Sequence, residues 1–486
     1  MDQSSIAILF IGASMFIPLW IGAKAGEKDQ ATISGFFVQN RSMSPMTVFF
    51  TVQATWWSAF AFLGSTSYYY NNGPVYWTTI GWDILFGILF LRIGKRIWFY
   101  GKENNYITAT DFFMDIYKSK ALGILVTTLM MLFTIPYFQI QISGGAYLIE
   151  TASKGLIPSQ MGAFVFTSVI VIYVWTGGLR AVAWTDIFYQ ILIIISVLLG
   201  GIFIVYYFNG IGNLFSELND KVPEVLTLPG PMGPLLWISM FVIVPIGALM
   251  GPPLWIRIYA VKDAKTFYLI PFLLASISFI NMTPMLLGNA GILLVDELVD
   301  SDTLLPRVVL NYMPYILAYI ILIGGAAAAM STANSQIHSI SAMYTIDIHK
   351  RYINRNTSDK RLLNIGKVGI LIFAVLSYLT FTFIPGLMIQ LGLIALSGTA
   401  QVFVPVAGAL FWEESNAKGA IAGIITGLAV LIIISYNFDI NVGIIGFLAL
   451  IFNAFVFIVV SKFSQEVKET KESIKNLKSK YKRSIN

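Results

Sequence analysis

The chain contains no cysteine, which excludes a disulfide framework and any thiolate metal site. It has only two histidines, His338 and His349, too few for a multi-histidine metal centre. Charged residues are scarce, at 12% of 486 positions; a soluble domain carries about 25%. Long polar stretches are also missing. The longest loops run to roughly 20 to 30 residues, which leaves no room for a soluble catalytic or signalling module. The first apolar run, IAILFIGASMFIPLWIGA, lacks a basic leader and an A-x-A cleavage site. It is therefore expected to remain as a span.

What is present is apolar. Hydrophobic residues make up 57% of the chain and mean hydropathy is +0.75. Thirteen apolar segments stand out, at about 5–23, 46–67, 75–98, 121–150, 161–177, 185–208, 233–256, 267–294, 308–345, 363–381, 386–411, 418–435 and 442–461. About 20 apolar residues cross the hydrocarbon core. Backbone groups in lipid need partners within the segment, so each reads as a helix. The fold class is an all-α membrane protein with thirteen transmembrane helices. One transporter domain covers 1–465, and a charged tail, 466–486, follows. With the N-terminus outside, only Lys154, Lys221 and Arg307 of the 31 Lys and Arg fall on the outer side. That bias places the C-terminal tail in the cytoplasm and the chain in the cell membrane as a multi-pass protein.

The ninth segment contains GGAAAAMSTANSQIHSISAMYTIDIHK. Between Ser331 and Ser341, eight of eleven residues are polar. Ser331, Asn334, Ser335, His338 and Ser339 share one helical face, with Thr332 at its edge. Such a face must look at protein or water rather than lipid. Helix–helix adhesion accounts for a few hydroxyls. A run this dense fits an ion site better, because hydroxyl and amide oxygens suit a hard cation such as Na⁺. Ser331 and Thr332 are adjacent, so further oxygens must come from another element. The second segment, MTVFFTVQATWWSAFAFLGSTSYYYNNG, is a candidate. A break near Gln53, Thr55, Ser58 or Gly64 would free carbonyls for an ion.

A third stretch, VWTGGLRAVAWTDIFYQ, joins segments five and six. Gly177 and Gly178 permit a tight turn, Arg180 marks the inner side, and Asp186 enters the membrane. An intramembrane carboxylate is a functional candidate, as a cation ligand or as a helix cap near Trp184 and Thr185.

GGLRAVAWTD resembles the signature of the sodium/solute symporter family, which includes proline, pantothenate, monocarboxylate, sugar and sialic acid carriers. AAAAMSTANSQ resembles its sodium-site helix, QISGGAYLIE its third core helix, and GPPLWIRIYAVKDAKTF its sixth. The resemblance runs in order from about residue 5 to 465. It implies a five-plus-five inverted-repeat core, spans 2–6 and 7–11, with peripheral helices. It also implies a sodium site made of backbone oxygens of Ala54, Trp57 and Ala328 and side-chain oxygens of Ser331 and Thr332. Some members bind a second sodium, here at Asp186, Ser331, Asn334 and Ser335, with Asn334 standing where a hydroxyl is usual. Proline carriers place an aspartate two residues before the serine matching Ser58. This chain has Trp56 there, which counts against proline.

Candidates for the solute pocket are Gln53, Trp56, Phe60, Gln141, Ser143, Trp255 and Gln401, since rings and amides suit a small organic solute. Arg257 reads as an inner-side anchor or an attractor of anions. Asp83 reads as the partner of an amide or of Arg92, and His338 as a packed polar residue. The expected function is a secondary symporter, not an enzyme. It would couple Na⁺ entry to uptake of a small organic solute, with a carboxylate such as a monocarboxylate or pantothenate favoured. Amino acid, sugar or sialic acid uptake and proton coupling are the alternatives. A sensor role is disfavoured by the missing signalling module. The implied partners are Na⁺, the solute and the bilayer, with no nucleic acid and no obligate protein partner.

Overall fold

The computed structural model describes residues 3–26, 32–227, 229–295, 298, 300–464 and 468–483. Among these residues the chain is helical, without a strand. Nine helices are long and apolar enough to cross a membrane, or ten when the bent pair Pro45–Trp56 and Phe60–Asn72 counts as one crossing. Three expected spans fall outside that set. The first and fifth correspond to the shorter apolar helices Ile11–Gly22 and Ser159–Ile172. The third lies in the helical run 78–104, which carries Asp83, Arg92, Lys95 and Arg96 and a π turn at Phe90–Gly94.

The expected ninth span, 308–345, is divided. Leu304–Tyr312 is a separate helix, and Tyr315–Ile353 begins only after Pro314. Proline forces the preceding residue out of helical geometry, and Met313 is accordingly extended, with ψ 153°. The turn expected at Gly177–Gly178 occurs at Gly178, whose φ of +62° favours glycine. The expected boundary at 465–466 lies outside the described residues. Beyond it, Lys468–Arg483 is a helix whose Tyr481 ring lies against Phe99, centroids 5.4 Å apart.

The polar helix Tyr315–Ile353 sits at the centre. It packs on Lys120–Ala152, on the helices either side of Gly178, and on the first half of the bent pair. Its Gly324–Met343 stretch is buried throughout, so the polar residues face protein, as a membrane solvent requires. Met388–Phe411 lies on the other side of Lys120–Ala152 and against Gly233–Met250. The pair Ala417–Asn437 and Val442–Phe463 packs peripherally.

Candidate functional site

Two helices are interrupted within the apolar layer, for different reasons. The first stops at Trp56. Trp57 has φ −82°, ψ 82°, and the two halves meet at 55°. The local sequence, ATWWSAF, has neither Gly nor Pro, so tertiary partners must hold the break. Gln141 Oε1 accepts from the Ala59 N–H at 3.1 Å, and its Nε2 donates to the Tyr137 carbonyl at 3.0 Å. The second helix stops at Gly251, between Gly233–Met250 and Pro252–Ala260. Here local chemistry suffices: two prolines supply no N–H, and the residue before them is pushed to an extended ψ of 141°. Gly247, one turn earlier, lets this helix approach its neighbour closely, because a Cβ there would meet the Leu396 carbonyl oxygen at 2.2 Å.

At the first break, oxygens converge. Ser331 Oγ donates to the Ala54 carbonyl at 2.8 Å and to the Ala328 carbonyl at 3.1 Å. Thr332 Oγ1 reaches the Ala54 and Thr55 carbonyls, both at 3.2 Å. All these residues are buried. Trp57 belongs to the break itself, its N–H donating to Gln53 O at 2.7 Å. The set is neutral and made only of oxygen. No group of three or more His, Cys, Asp or Glu that could hold a metal occurs among the described residues. Carbonyl and hydroxyl oxygens without carboxylates suit a hard monovalent cation rather than a transition metal.

Next to this cluster, Asp186 meets a partner that the sequence did not assign to it. Its Oδ2 accepts from Arg257 Nη2 at 3.0 Å and from the Thr51 hydroxyl. The same Nη2 donates to Ser335 Oγ. Arg257 Nε donates to the Thr51 carbonyl at 3.1 Å and hydroxyl at 2.9 Å. Arg257 is therefore neither a surface anchor nor a solute attractor: its side chain is 1% exposed. A guanidinium can enter a buried site only with its charge paired and its donors satisfied, and Asp186, Thr51, Ser335 and Pro253 O supply that. It stands between Asp186 and Ser335, two of the groups expected around a second ion.

Two cavities flank Trp56. One, of about 20 Å³, is lined by residues including Thr134, Gly251, Pro252, Thr332, Gln336 and Thr399. The other, also of about 20 Å³, is lined by residues including Phe60, Ser65, Thr79, Trp82 and Asn281. Trp56, Tyr137 and Leu396 border both. Asp83 fixes the Trp56 ring by accepting from its Nε1, and accepts from Asn281 Nδ2 at 2.7 Å, so the amide partner of Asp83 is Asn281. Phe86 stacks on Trp56 at 4.8 Å.

Of the expected solute contacts, Trp56 and Phe60 reach these cavities. Gln53 and Ser143 are buried away from them, and Gln141 is committed to the break. Trp255 and Gln401 are placed elsewhere. Trp255 lies one turn past the second break, against Phe112 and Phe113 at 5.4 and 5.9 Å. The Gln401 amide is used by Ser397 O and Asn453 Nδ2, both at 3.0 Å. Sequence reasoning missed Gln336, Tyr137, Thr134, Thr399 and Asn281. Gln336 was within reach: it lies in the polar run, four residues after Thr332 and on the same face. Its amide lines the cavity beside Gly251 and Thr399 without a partner among the described residues. His338 is packed between Phe36 and Phe37, each at 5.6 Å.

Known proteins resemble this chain over most of its length. The sodium/pantothenate symporter of Haemophilus influenzae is 28% identical, over 83% of this chain and 84% of its own length. An uncharacterized symporter of Bacillus subtilis, YhjB, is 25% identical over 95% and 98%. A solved Na⁺-coupled sialic acid symporter, in a substrate-bound outward-open state, superposes with a TM-score of 0.81 at 18% identity, over 95% of this chain and 98% of that one. The family model described as the sodium:solute symporter family matches residues 36–427. The chain therefore belongs to the sodium:solute symporter family, whose members are membrane transporters rather than enzymes and whose coupling ion is Na⁺.

Proposed function

We propose that the chain imports a small carboxylate-bearing organic solute, such as a monocarboxylate or pantothenate, together with Na⁺ by alternating access. The observation that carries this reading is the neutral oxygen cluster at the first break, where Ser331 and Thr332 meet the Ala54 carbonyl. Na⁺ sits there as cargo. The Ser331 and Thr332 hydroxyls turn their lone pairs to it, and the carbonyls of Ala54, Trp57 and Ala328 complete its shell. The ion then ties the broken helix to the polar helix. That favours the arrangement in which Trp56 and Phe60 wall the solute. One Na⁺ with one carboxylate carries no net charge, so the Na⁺ concentration gradient rather than the membrane potential drives uptake.

Arg257 provides a fixed positive charge at Asp186, so the reading assigns one Na⁺ per solute. Asn334 and Ser335 then stand beside the cation site. The solute lies at Trp56, in a pocket that the two water-sized cavities widen to form. The Gln336 amide, the Thr134 and Thr399 hydroxyls and the positive end of the Pro252–Ala260 helix face its carboxylate. The name of the 28% identical relative supports the solute class. The Lys and Arg bias supports thirteen crossings, the N-terminus outside, the C-terminus in the cytoplasm and the cell membrane as location. The two breaks, each in the first helix of a set of five spans, support the inverted repeat.

The test is uptake by purified protein in proteoliposomes, with an imposed Na⁺ gradient and a panel of labelled carboxylates, amino acids and sugars. Na⁺-driven accumulation of a carboxylate, with one Na⁺ per solute, is expected. Uptake that follows a proton gradient and ignores Na⁺ overturns the coupling. Uptake of only uncharged sugars overturns the solute class.

A further inference from the structure

Away from the two breaks, at the Lys- and Arg-rich end of the bundle, lies an open groove of about 460 Å³. Four elements form it: the connection around Asn105 and Ile107, the helix Ala109–Tyr117, the start of Lys120–Ala152, and the end of the polar helix with the segment following it. Four cationic side chains line it, Lys120, Lys350, Arg351 and Arg355, against one carboxylate, Asp111. That carboxylate is already committed. Its Oδ1 pairs with Arg351, and its Oδ2 accepts from the Ile107 N–H at 2.7 Å and the Thr108 N–H at 2.9 Å. Lys120 and Lys350 form no ion pair among the described residues. Arg351 and Arg355 are one helical turn apart, with Arg355 Nε donating to Arg351 O at 3.4 Å. Lys120 is the first residue of a 33-residue helix, which adds the positive end of a helix dipole.

The groove also has an apolar side. Ile107, Met114 and Ile346 line it. Beside it, Tyr352 and Ile353 are 47% and 63% exposed at the very end of the span Tyr315–Ile353. The groove thus stands where two helices of membrane-spanning length end together. It joins surplus positive charge to exposed apolar side chains. A role as topology anchor requires only that Lys and Arg lie on one side of the membrane. It does not require cations from separate elements to converge on one concavity.

We propose that this groove binds the phosphodiester of an anionic phospholipid headgroup. Arg355 would offer a planar fork and Lys120 and Lys350 point charges to the phosphate oxygens, while the glycerol and first methylenes lie on Tyr352 and Ile353. Basic pockets between spans at a membrane surface suit this class of ligand.

The experiment uses the full chain in nanodiscs of equimolar phosphatidylcholine and phosphatidylglycerol, extracted gently into detergent and weighed by native mass spectrometry. The wild type is expected to retain one phosphatidylglycerol per chain. Lys350→Gln with Arg355→Gln should retain it several-fold less. Arg355→Lys should fall between them, and Lys418→Gln, outside the groove, should match the wild type. Should the double variant not fold, Lys350→Gln alone serves, with a smaller loss expected. Equal retention by wild type and groove variants overturns the proposal, as does equal loss in Lys418→Gln. Displacement of the lipid by inorganic phosphate also overturns it, because the site would then take the free anion.

Discussion

The two helix breaks of this protein are built from opposite materials. The second contains its own cause, Gly251 before two prolines, and its loose carbonyl is quietly taken up: Thr399 Oγ1 donates to Gly247 O at 2.9 Å. The first has no breaker in its sequence and depends on hydroxyls and an amide from other helices. A break that needs partners can change when its partners change. A break written into the chain stays put. The proposed reading uses that difference: the adaptable first break takes the cation and walls both cavities, and the fixed second break lines one of them. Arg257 joins the two, since it lies on the helix after the second break and bonds to Thr51, just ahead of the first.

The hardest way to disturb the comparison is to cut that link. Arg257→Gln leaves Asp186 buried and unpaired. Breaking a buried pair from one side costs about 3–5 kcal/mol. A large fall in thermal stability in detergent is expected, with recovery when Asp186→Asn is added. A double variant no more stable than the single would show that the pair is not what holds the two breaks together. With one Na⁺ per solute, the double variant should also keep the wild-type charge-to-solute ratio.

Next in size is the cation site. A hydrogen bond or ligand contact to a charged group contributes about 1.5–3 kcal/mol. Ser331→Ala and Thr332→Ala should therefore each raise the Na⁺ concentration for half-maximal uptake by roughly 10- to 100-fold, with normal protein levels. Unaltered Na⁺ dependence in both would remove the site from the first break.

The third test sets the breaks against each other. Trp56→Ala removes a wall shared by both cavities and should weaken solute affinity by roughly tenfold, with a smaller effect on Na⁺, since burying an aromatic ring contributes about 1.5–3 kcal/mol. Thr399→Val, at the second break, should cost only a few-fold in solute affinity and leave Na⁺ dependence alone. Na⁺ dependence that shifts more in Thr399→Val than in Ser331→Ala would reverse the assignment of roles.

The same contrast decides what was legible in the sequence. The run from Ser331 to Ser341 declared itself because polar residues are conspicuous in an apolar context. Gly178 was legible because Gly acts locally; the second break, Gly251 before two prolines, is just as local but was read through as one span over 233–256. The division of the ninth span at Pro314 was also written there, but continuous hydropathy across it hid the stop. The first break was legible only as a polar-spotted helix, because what holds it, Gln141 and Ser331, lies about 85 and 275 residues away in the chain. Arg257 misled for the related reason that an arginine near a span end is usually an anchor. Its burial depends on Asp186, which belongs to another helix. Trp255 and Gln401 had the right chemistry for a pocket, but helix rotation turned them onto Phe112 and Asn453, and periodicity in a helix apolar on all sides cannot fix that rotation.

The smallest expected effect comes from the helix that touches both breaks. Met388–Phe411 reaches the second through Thr399, and at its start Met388 packs on Gly64 of the first broken helix, where a Cβ would meet Met388 Cβ at 3.3 Å. That start is held by Asp302, whose Oδ2 accepts from the Met388 N–H at 2.7 Å. Asp302 lies between spans and is 1% exposed. Burial pushes its carboxyl up to about 7, with the Met388 N–H opposing and Asp300 adding to the rise. The protonated acid is thus the form that the closed packing favours. Its contribution is fully present below the ordinary carboxylate range and is lost as pH rises through about 7. Local opening of residues 388–392 should increase about tenfold between pH 6 and 8, measured by hydrogen exchange corrected for its intrinsic pH dependence. Asp302→Asn should flatten that change while preserving an acceptor for the Met388 N–H. A slope that persists in Asp302→Asn would assign the titration to another group, and the first break would then be held from its far side by packing on Gly64 rather than by Asp302.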